Sequence, residues 1–286
     1  MKSCLECMPC LGRTAVDFAR RSSDDPEIRH RIASEAFRLL ADADFAQSPP
    51  YHAGAIMEMV QRIHPLDRDL YQEEKERSTL LAKQLTAKLD SVPEYDPDDF
   101  ESRLRLAIAG NILDFGVFTD LDLDEAILSV RQAFTKPIDR AAAEKLHRRM
   151  DSAVKILYVL DNCGEAVFDR VFMEPYRDRI TLVVRGSNSM NDVTRADLRM
   201  SGFDPETVAV TDTGSCVPGL IPELAPPELR RAMDEADLII AKGQGNFETL
   251  NEIARPASFL FMAKCPVVIR LLRTEPRSIQ VRNINF

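Results

Sequence analysis

The hydrophobic pattern of the chain changes near residue 150, and this change constrains the fold more than any other feature. Residues 1 to about 150 carry apolar side chains at three- and four-residue spacing, which indicates amphipathic helices, in RHRIASEAFRLLADADF, AGAIMEMVQRIH, DLYQEEKERSTLLAKQLTAKL and FESRLRLAIAGNILDF. From residue 153 onward the chain instead alternates helix-like stretches with short β-rich runs: VKILYVL, ITLVVRG, TVAVTD, ADLIIAKG and ASFLFMA. Continuous apolar strands between helices predict a mainly parallel sheet covered on both faces.

We therefore predict an α/β fold, in which a helical N-terminal region (residues 1–150) packs on a Rossmann-like α/β/α region (residues 151–286) that carries the functional site. No long linker separates the two regions in the sequence. We expect them to form one fused unit.

Composition and charge narrow the class of protein. Of the 286 residues, 45% are apolar, which is enough for a substantial core. The net charge is −9 and the Lys and Arg residues are scattered, whereas a nucleic-acid partner requires a clustered basic face. Acidity of the whole chain does not oppose a small anionic substrate in a local pocket. We expect no nucleic-acid partner, and the oligomeric state stays open.

Membrane and secretory segments are not predicted. No apolar run approaches the roughly 20 residues of a membrane-spanning helix, and MKSCLECMPCLGRTAVDFARR lacks the continuous apolar core of a secretory signal. Six cysteines in a chain of this length do not indicate a disulfide scaffold. We expect a cytoplasmic protein with reduced thiols and no membrane partner.

Polar residues follow the ends of four predicted strands. In open α/β sheets, ligands bind beyond the carboxyl ends of the strands. The residues found there are Asp161, Asn162, Gly164 and Glu165 after the first run, Ser187, Asn191, Asp192 and Thr194 after the second, Thr213, Gly214 and Ser215 after the third, and Lys242, Gln244, Gly245, Asn246 and Glu248 at and after the fourth. One edge of the sheet therefore collects carboxylates, carboxamides, glycines and a lysine.

This set of groups indicates a divalent-metal and phosphate site. Two carboxylates and a carboxamide oxygen are hard ligands that suit Mg²⁺ or Mn²⁺. Acids alone would repel a phosphate, but a bound cation reverses that effect. Glycines let the backbone approach a ligand closely, and Lys242 can neutralise a phosphoryl oxygen.

Structural roles compete with this interpretation. An Asp or Asn directly after a strand is often a turn residue or a helix N-cap, which applies to Asp161 and Asp192. Glu165 is also a residue that the helix dipole favours in a first turn. Recurrence at several strand ends favours the functional interpretation. The stretch GQGNFE holds only two of the three glycines of a dinucleotide fingerprint and follows a late strand.

Read in order, the stretches DNCGE, VRGSNSMNDVT and KGQGNFE resemble those of the damage-control phosphatases, the family first catalogued as domain of unknown function 89. The chain is most similar to the stand-alone prokaryotic group that carries N-terminal cysteines. CMPCLGRTA, DLYQEEKE, AIAGNILDFG and AKCPVV also match, so the resemblance spans nearly the whole chain. It implies a helical part against a Rossmann-like part, and hydrolysis of phosphate esters of small metabolites with a divalent metal (Mg²⁺, Mn²⁺, Co²⁺ or Ni²⁺).

The resemblance also implies roles for individual residues. Metal ligands match Asp161, Asn162 and Asp192, and Lys242 matches a phosphate-contacting lysine. The predicted substrate- or phosphate-binding residues are Asn111, Asp114, Arg185, Ser187, Asn191, Lys242, Gly245 and Asn246. One departure is that VRGSNSMND has Ser-Asn-Ser where relatives often carry a proline.

The predicted catalytic residues are Asp161, Glu165 and Lys242. The metal polarises a phosphoryl oxygen, while Lys242 and backbone amides hold the other oxygens. The attacking group is either metal-bound water or Asp161, and Glu165 is either a base or a residue that orients a neighbour. The sequence leaves both choices open.

A second metal site and two other functions are alternatives. Cys4, Cys7 and Cys10 have the C-x2-C-x2-C spacing of zinc or iron–sulfur ligands, but a local fourth ligand is missing, and packing thiols on a helix explain the same pattern. A nucleotide- or S-adenosylmethionine-binding enzyme, such as a methyltransferase, would need a glycine-rich first turn instead of DNCGE. A non-catalytic metal or metabolite sensor would use the N-terminal thiols.

Overall fold

Helices dominate the first half of the protein. The computed structural model describes residues 1–110 and 123–286. The helices of the first half are α1 Cys7–Ser22, α2 Pro26–Ala41, α3 Pro49–Ile63, α4 Gln72–Thr86, α5 Phe100–Ala109, α6 Leu123–Thr135 and α7 Arg140–Ser152. Three of them begin at an aspartate whose side chain accepts a hydrogen bond from a backbone N–H of the first turn: Asp25 before α2, Asp99 before α5 and Asp139 before α7.

The second half forms one sheet with helices between its strands. Within the described residues the strands are β1 Ile156–Val159, β2 Ile180–Val184, β3 Ala209–Asp212, β4 Leu238–Lys242, β5 Ala257–Met262 and β6 Ile279–Ile284, and the helices are α8 Cys163–Met173, α9 Pro227–Glu235, α10 Gly243–Leu250 and α11 Pro266–Leu272. The strand order is β3-β2-β1-β4-β5-β6. All neighbouring pairs are parallel except β5 with β6. The predicted α/β class with a mainly parallel sheet is confirmed.

Side chains of each strand alternate between two cores, one on each face of the sheet. Ile156 and Tyr158 of β1 pack in the first core together with residues of α5, α7 and α8. Leu157 and Val159 pack in the second core with residues of α9 and α10. The burial of both faces explains why β1 is entirely apolar and why β4 and β5 each contain a single polar residue, Lys242 and Ser258.

The helical half is joined to the sheet in two ways. Helices α5 and α7 contribute Leu104 and Met150 to the same core as β1. Helices α1 to α3 form a separate core, which reaches the loops after β2 and β3 through Met190 and Cys216. The helices therefore cover part of the carboxyl edge of the sheet.

No helix in the described ranges combines the length and the apolar character that a membrane crossing requires.

Candidate active site at the carboxyl ends of the strands

The strand order reverses between β1 and β4, and this reversal creates a crevice at the carboxyl ends of the two strands. The chain passes from β1 to β2 on one side of β1, whereas β4 lies on the other side and leads to β5. Asp161 and Asn162 follow β1, while Lys242 ends β4 and Gly243 begins α10. Ligands of open α/β sheets bind at such switch points.

The three predicted metal ligands lie together at this crevice. Asn162 and Asp192 form an isolated antiparallel bridge. The backbone N–H of Val193 donates to the carbonyl of Asp161 at 2.8 Å, and Asn162 Nδ2 donates to Asp161 Oδ2 at 3.2 Å. All three side chains are buried, yet Asp161 keeps 12% of its side chain exposed. Two separate segments of the chain thus bring two carboxylates and one carboxamide to one place.

A buried arginine holds the two carboxylates. Arg185, 1% exposed, directs Nε to Asp192 Oδ2 at 2.6 Å and Nη2 to Asp161 Oδ1 at 3.5 Å. Its Nη1 donates to Asn246 Oδ1 at 3.3 Å. One guanidinium thus lies against two carboxylates. The predicted phosphate role of Arg185 stays a prediction, and in this geometry its donors serve side chains of the site.

The start of α10 is fitted closely to Asp161. Gly243 has a φ of +77°, and a Cβ atom at this position would lie 2.0 Å from Asp161 Oδ2. Asn246, fully buried, donates through Nδ2 to the Lys242 carbonyl at 2.7 Å and accepts from the Leu220 N–H at 3.0 Å. Asn246 therefore joins the turn after β4 to Arg185 and to the loop that precedes α9.

Lys242, the last residue of β4, is fully buried. Its Nζ donates to Glu165 Oε1 at 2.5 Å, to Asp169 Oδ1 at 2.7 Å and to the Ala107 carbonyl at 2.9 Å. These three acceptors match the three N–H donors of an ammonium. A phosphate contact by Lys242 stays a prediction, and it would require the exchange of one of these partners.

Asp169 is a member of the site that was not predicted from the sequence. It is fully buried one helical turn after Glu165, and it also accepts from the Tyr158 hydroxyl at 2.9 Å. Burial raises the pKa of Asp169 to about 7, and Lys242 opposes this rise. The spacing of four residues from Glu165 on one helix was the available signal.

Of the remaining predicted phosphate residues, Ser187 and Asn191 lie on the loop after β2, and Gly245 lies in the first turn of α10. Ser187 is exposed, whereas Asn191 and Gly245 are half-buried. The carbonyl of Asn191 accepts from the Cys163 N–H at 3.0 Å and so ties the loop to the start of α8. Asn111 and Asp114 lie outside the described residues.

The N-terminal cysteines lie in α1 and directly before it. Cys4 and Cys7 have their Sγ atoms 3.5 Å apart, and Cys10 is exposed. Cys7, Cys10 and Cys265 line a cleft of about 450 Å³. In the part of the chain that the structure describes, no three His, Cys, Asp or Glu side chains are grouped as a metal site. The second metal site therefore stays a prediction.

The strand-end group has the chemistry of a hard-metal site. It contains two carboxylates, those of Asp161 and Asp192, and the carboxamide of Asn162 offers a third oxygen ligand. Oxygen ligands of this kind suit Mg²⁺ or Mn²⁺, which retain several waters. These residues fit a divalent metal.

Comparison with known proteins places these features in a family. The profile of the "Damage-control phosphatase ARMT1-like domain" matches residues 4–278. An uncharacterised protein of Methanocaldococcus jannaschii is 33% identical over 92% of this chain and 89% of its own length. The damage-control phosphatase PH1575 of Pyrococcus horikoshii is 32% identical over 96% of this chain and 95% of its own.

A solved structure agrees with the sequence comparison. The crystal structure of PH1575, described as a DUF89 family protein, superposes with a TM-score of 0.87 at 30% identity and covers 99% of this chain and 100% of that one. The resemblance drawn from the sequence motifs is confirmed. The chain belongs to the damage-control phosphatase ARMT1-like domain family.

Proposed function

We propose that the protein is a metal-dependent phosphatase that hydrolyses phosphate esters of small metabolites, such as sugar phosphates or damaged phosphometabolites. The observation that carries this proposal is the convergence of Asp161, Asn162 and Asp192 at the switch point of the sheet, around one buried guanidinium. Membership of a family named for phosphatases supports the reaction class. Neither a methyltransferase nor a non-catalytic sensor is favoured by that membership.

Asp161, Asn162 and Asp192 would hold Mg²⁺ or Mn²⁺, or Co²⁺ or Ni²⁺ in their place. A bound divalent ion supplies positive charge to the phosphoryl oxygens. Arg185 keeps the two carboxylates at a fixed separation, because its planar fork contacts both. The crevice is where the phosphate ester would bind.

Lys242 would orient Glu165. Its ammonium contacts Glu165 and Asp169 at the same time and so fixes both acids on one side of α8. Because Glu165 is 1% exposed and paired with this ammonium, its predicted role as an orienting residue is better supported than a role as a base.

The test combines metal dependence with substitutions. With Mg²⁺, Mn²⁺, Co²⁺ or Ni²⁺, we expect the protein to release phosphate from p-nitrophenyl phosphate and from members of a sugar-phosphate panel. Phosphate release should stop when the metal is chelated. Asp161→Asn and Asp192→Asn should lower kcat/KM by roughly 100-fold or more, since metal ligands and their direct supports control both affinity and activity.

The matched control is Asp212→Asn. Asp212 ends the neighbouring strand β3 but does not contact Arg185, Asp161 or Asp192 in any hydrogen bond of the described residues, and its side chain is 37% exposed. Its substitution should leave activity within about twofold, as expected for a change on the surface. Phosphate release that resists chelation, or that survives both site substitutions in folded protein, would refute the proposal.

A further inference from the structure

A buried lysine of the helical half contacts the segment that carries a predicted metal ligand. Lys75, on α4, is fully buried. Its Nζ lies 2.7 Å from Asp69 Oδ2 and 2.9 Å from Asp197 Oδ2. Asp69 belongs to the turn that enters α4, whereas Asp197 is 122 residues away along the chain. The contact with Asp197 therefore joins the two halves of the protein.

Asp197 also binds Thr194, which lies in the same loop as Asp192. The same oxygen, Asp197 Oδ2, accepts from the backbone N–H of Thr194 at 2.9 Å and from Thr194 Oγ1 at 2.7 Å. The first of these bonds belongs to a capping box at the 3₁₀-helix Arg195–Asp197, in which the backbone N–H of Asp197 also donates to the Thr194 side chain. Thr194 stands two residues after Asp192, so a shift of Asp197 would displace the backbone that carries the ligand.

The Asp192 loop is thus held from two sides. On the sheet side, Arg185 binds the Asp192 carboxylate, and the Val193 N–H donates to the Asp161 carbonyl. On the helical side, Lys75 and Asp197 hold Thr194. Of the groups that form these two supports, only Lys75 belongs to the helical half.

Helix α4 also contacts the segment of the other two ligands. Gly164, two residues after Asn162, lies so close to α4 that a Cβ atom there would be 2.7 Å from Ser78 Cβ. Ser78 is on the same helix as Lys75. One helix therefore touches the chain after Asn162 and, through Asp197, the chain after Asp192.

We propose that Lys75 is a positioning residue for the metal site, which sets the place of Asp192 relative to Asp161 through Asp197 and Thr194. This inference rests on the proposed function, because it needs a metal at Asp161, Asn162 and Asp192. Residues that orient metal ligands without touching the metal control affinity, and their loss commonly lowers it 10- to 100-fold. The helical half then has a part in metal binding in addition to covering the crevice.

The test is Mn²⁺ affinity, measured by titration calorimetry on metal-free protein. We expect Lys75→Met to weaken Mn²⁺ binding by about 10-fold or more, within the range known for such supports. Because this change leaves the Asp69 carboxylate buried without its lysine, the double variant Lys75→Met/Asp69→Asn is measured as well and should show the same loss. In both variants phosphate release should need more Mn²⁺ for half-maximal rate, while kcat at saturating Mn²⁺ returns towards that of the unsubstituted protein.

The control loosens the same helix at a different place. Arg21 of α1 binds Glu74 in the first turn of α4 and lies 4.3 Å over the Tyr71 ring. Arg21→Met should lower the free energy of unfolding without a change in Mn²⁺ affinity. If α4 matters only for stability, Lys75→Met and Arg21→Met will behave alike, and the inference is wrong.

The inference and the proposed function fail in different ways. If folded Lys75→Met/Asp69→Asn binds Mn²⁺ as tightly as the unsubstituted protein does, the inference is wrong and the phosphatase proposal stands. Tight Mn²⁺ binding without release of phosphate from any tested ester overturns the phosphatase proposal, while weaker Mn²⁺ binding by the lysine variants still supports the inference. Absence of Mn²⁺ binding by the unsubstituted protein overturns both.

Discussion

At the residue scale, Gly243 offers a sharp test of the crevice geometry. Gly243→Ala places a methyl group at the Asp161 carboxylate and forces a side chain into a backbone conformation with positive φ. The left-handed conformation alone costs about 1–2 kcal/mol. We expect a lower free energy of unfolding in urea and, in addition, a loss of Mn²⁺ binding as Asp161 moves.

Gly202→Ala is the matched control for this substitution. Gly202 also has a positive φ, of +90°, but the nearest atom to its added Cβ would be Arg170 Nε, the end of a flexible side chain, at 3.1 Å. This variant should lose stability and keep its Mn²⁺ affinity. Equal Mn²⁺ affinity in both variants would show that Asp161 does not depend on the Gly243 contact.

The sequence predicts the position of some site residues but not the contacts of others. Asp161 and Asn162 are predictable because they directly follow an apolar strand, where the fold places ligands. The partners of Lys242 are not, since Glu165 and Asp169 are 77 and 73 residues away and their pairing depends on how α8 packs beside β4. The contact of Lys75 with Asp197 could not be predicted either, because these two residues are also far apart in the sequence.

At the element scale, the approach of α4 to α8 predicts a contrast between two helical glycines. Gly164→Ala brings a methyl group against Ser78 Cβ and the Ser78 backbone, so we expect the free energy of unfolding to fall by about 1–3 kcal/mol from overpacking. Urea denaturation measures this change.

Gly12→Ala, in α1, should behave in the opposite way. Its Cβ would contact only the ring of Phe37, which is 51% exposed and free to turn aside, so the helix preference for Ala of about 1 kcal/mol should dominate. A loss of stability in Gly12→Ala as large as that in Gly164→Ala would contradict the role given to the α4–α8 contact.

Among the strands, burial decides which ones the sequence reveals. Five strands coincide with the predicted apolar runs, and β4 and β5 are buried at every position. Strand β6, Ile279–Ile284, was not predicted. Among the described strands it lies at the edge of the sheet and pairs with β5 alone, and it mixes polar residues with apolar ones. Its last three residues are half-buried, so no continuous apolar run marks it.

At the scale of the whole molecule, a buried acid outside the crevice predicts a pH dependence of stability. Burial raises the pKa of Glu248 from 4.5 to about 7, although the hydrogen bond from Gln244 opposes the rise. The folded protein then binds the proton more tightly than the unfolded chain. This contribution is complete below pH 4.5, declines as pH rises to about 7 and is on the order of 3 kcal/mol at most.

In the unsubstituted protein the free energy of unfolding should therefore decrease between pH 5 and pH 7, and in Glu248→Gln this decrease should be smaller. At pH 8 the variant should be more stable than the unsubstituted protein. Glu235→Gln is the control: Glu235 is exposed, and its bond with Lys155 lowers its pKa. That variant should keep the fall between pH 5 and pH 7. An unchanged pH profile in Glu248→Gln would show that Glu248 is ionised in the folded protein near neutral pH.

The order of strands has a consequence for synthesis on the ribosome. Strand β1 pairs on one side with β2, which follows soon after it, and on the other side with β4, whose residues 238–242 are made much later. Until β4 is made, the backbone N–H and C=O groups on one edge of Ile156–Val159 have no partner strand. Such an edge can pair with a strand of another chain. We expect the nascent protein to be most prone to aggregate in this interval, and a translational pause just before β4 to lower the yield of soluble product.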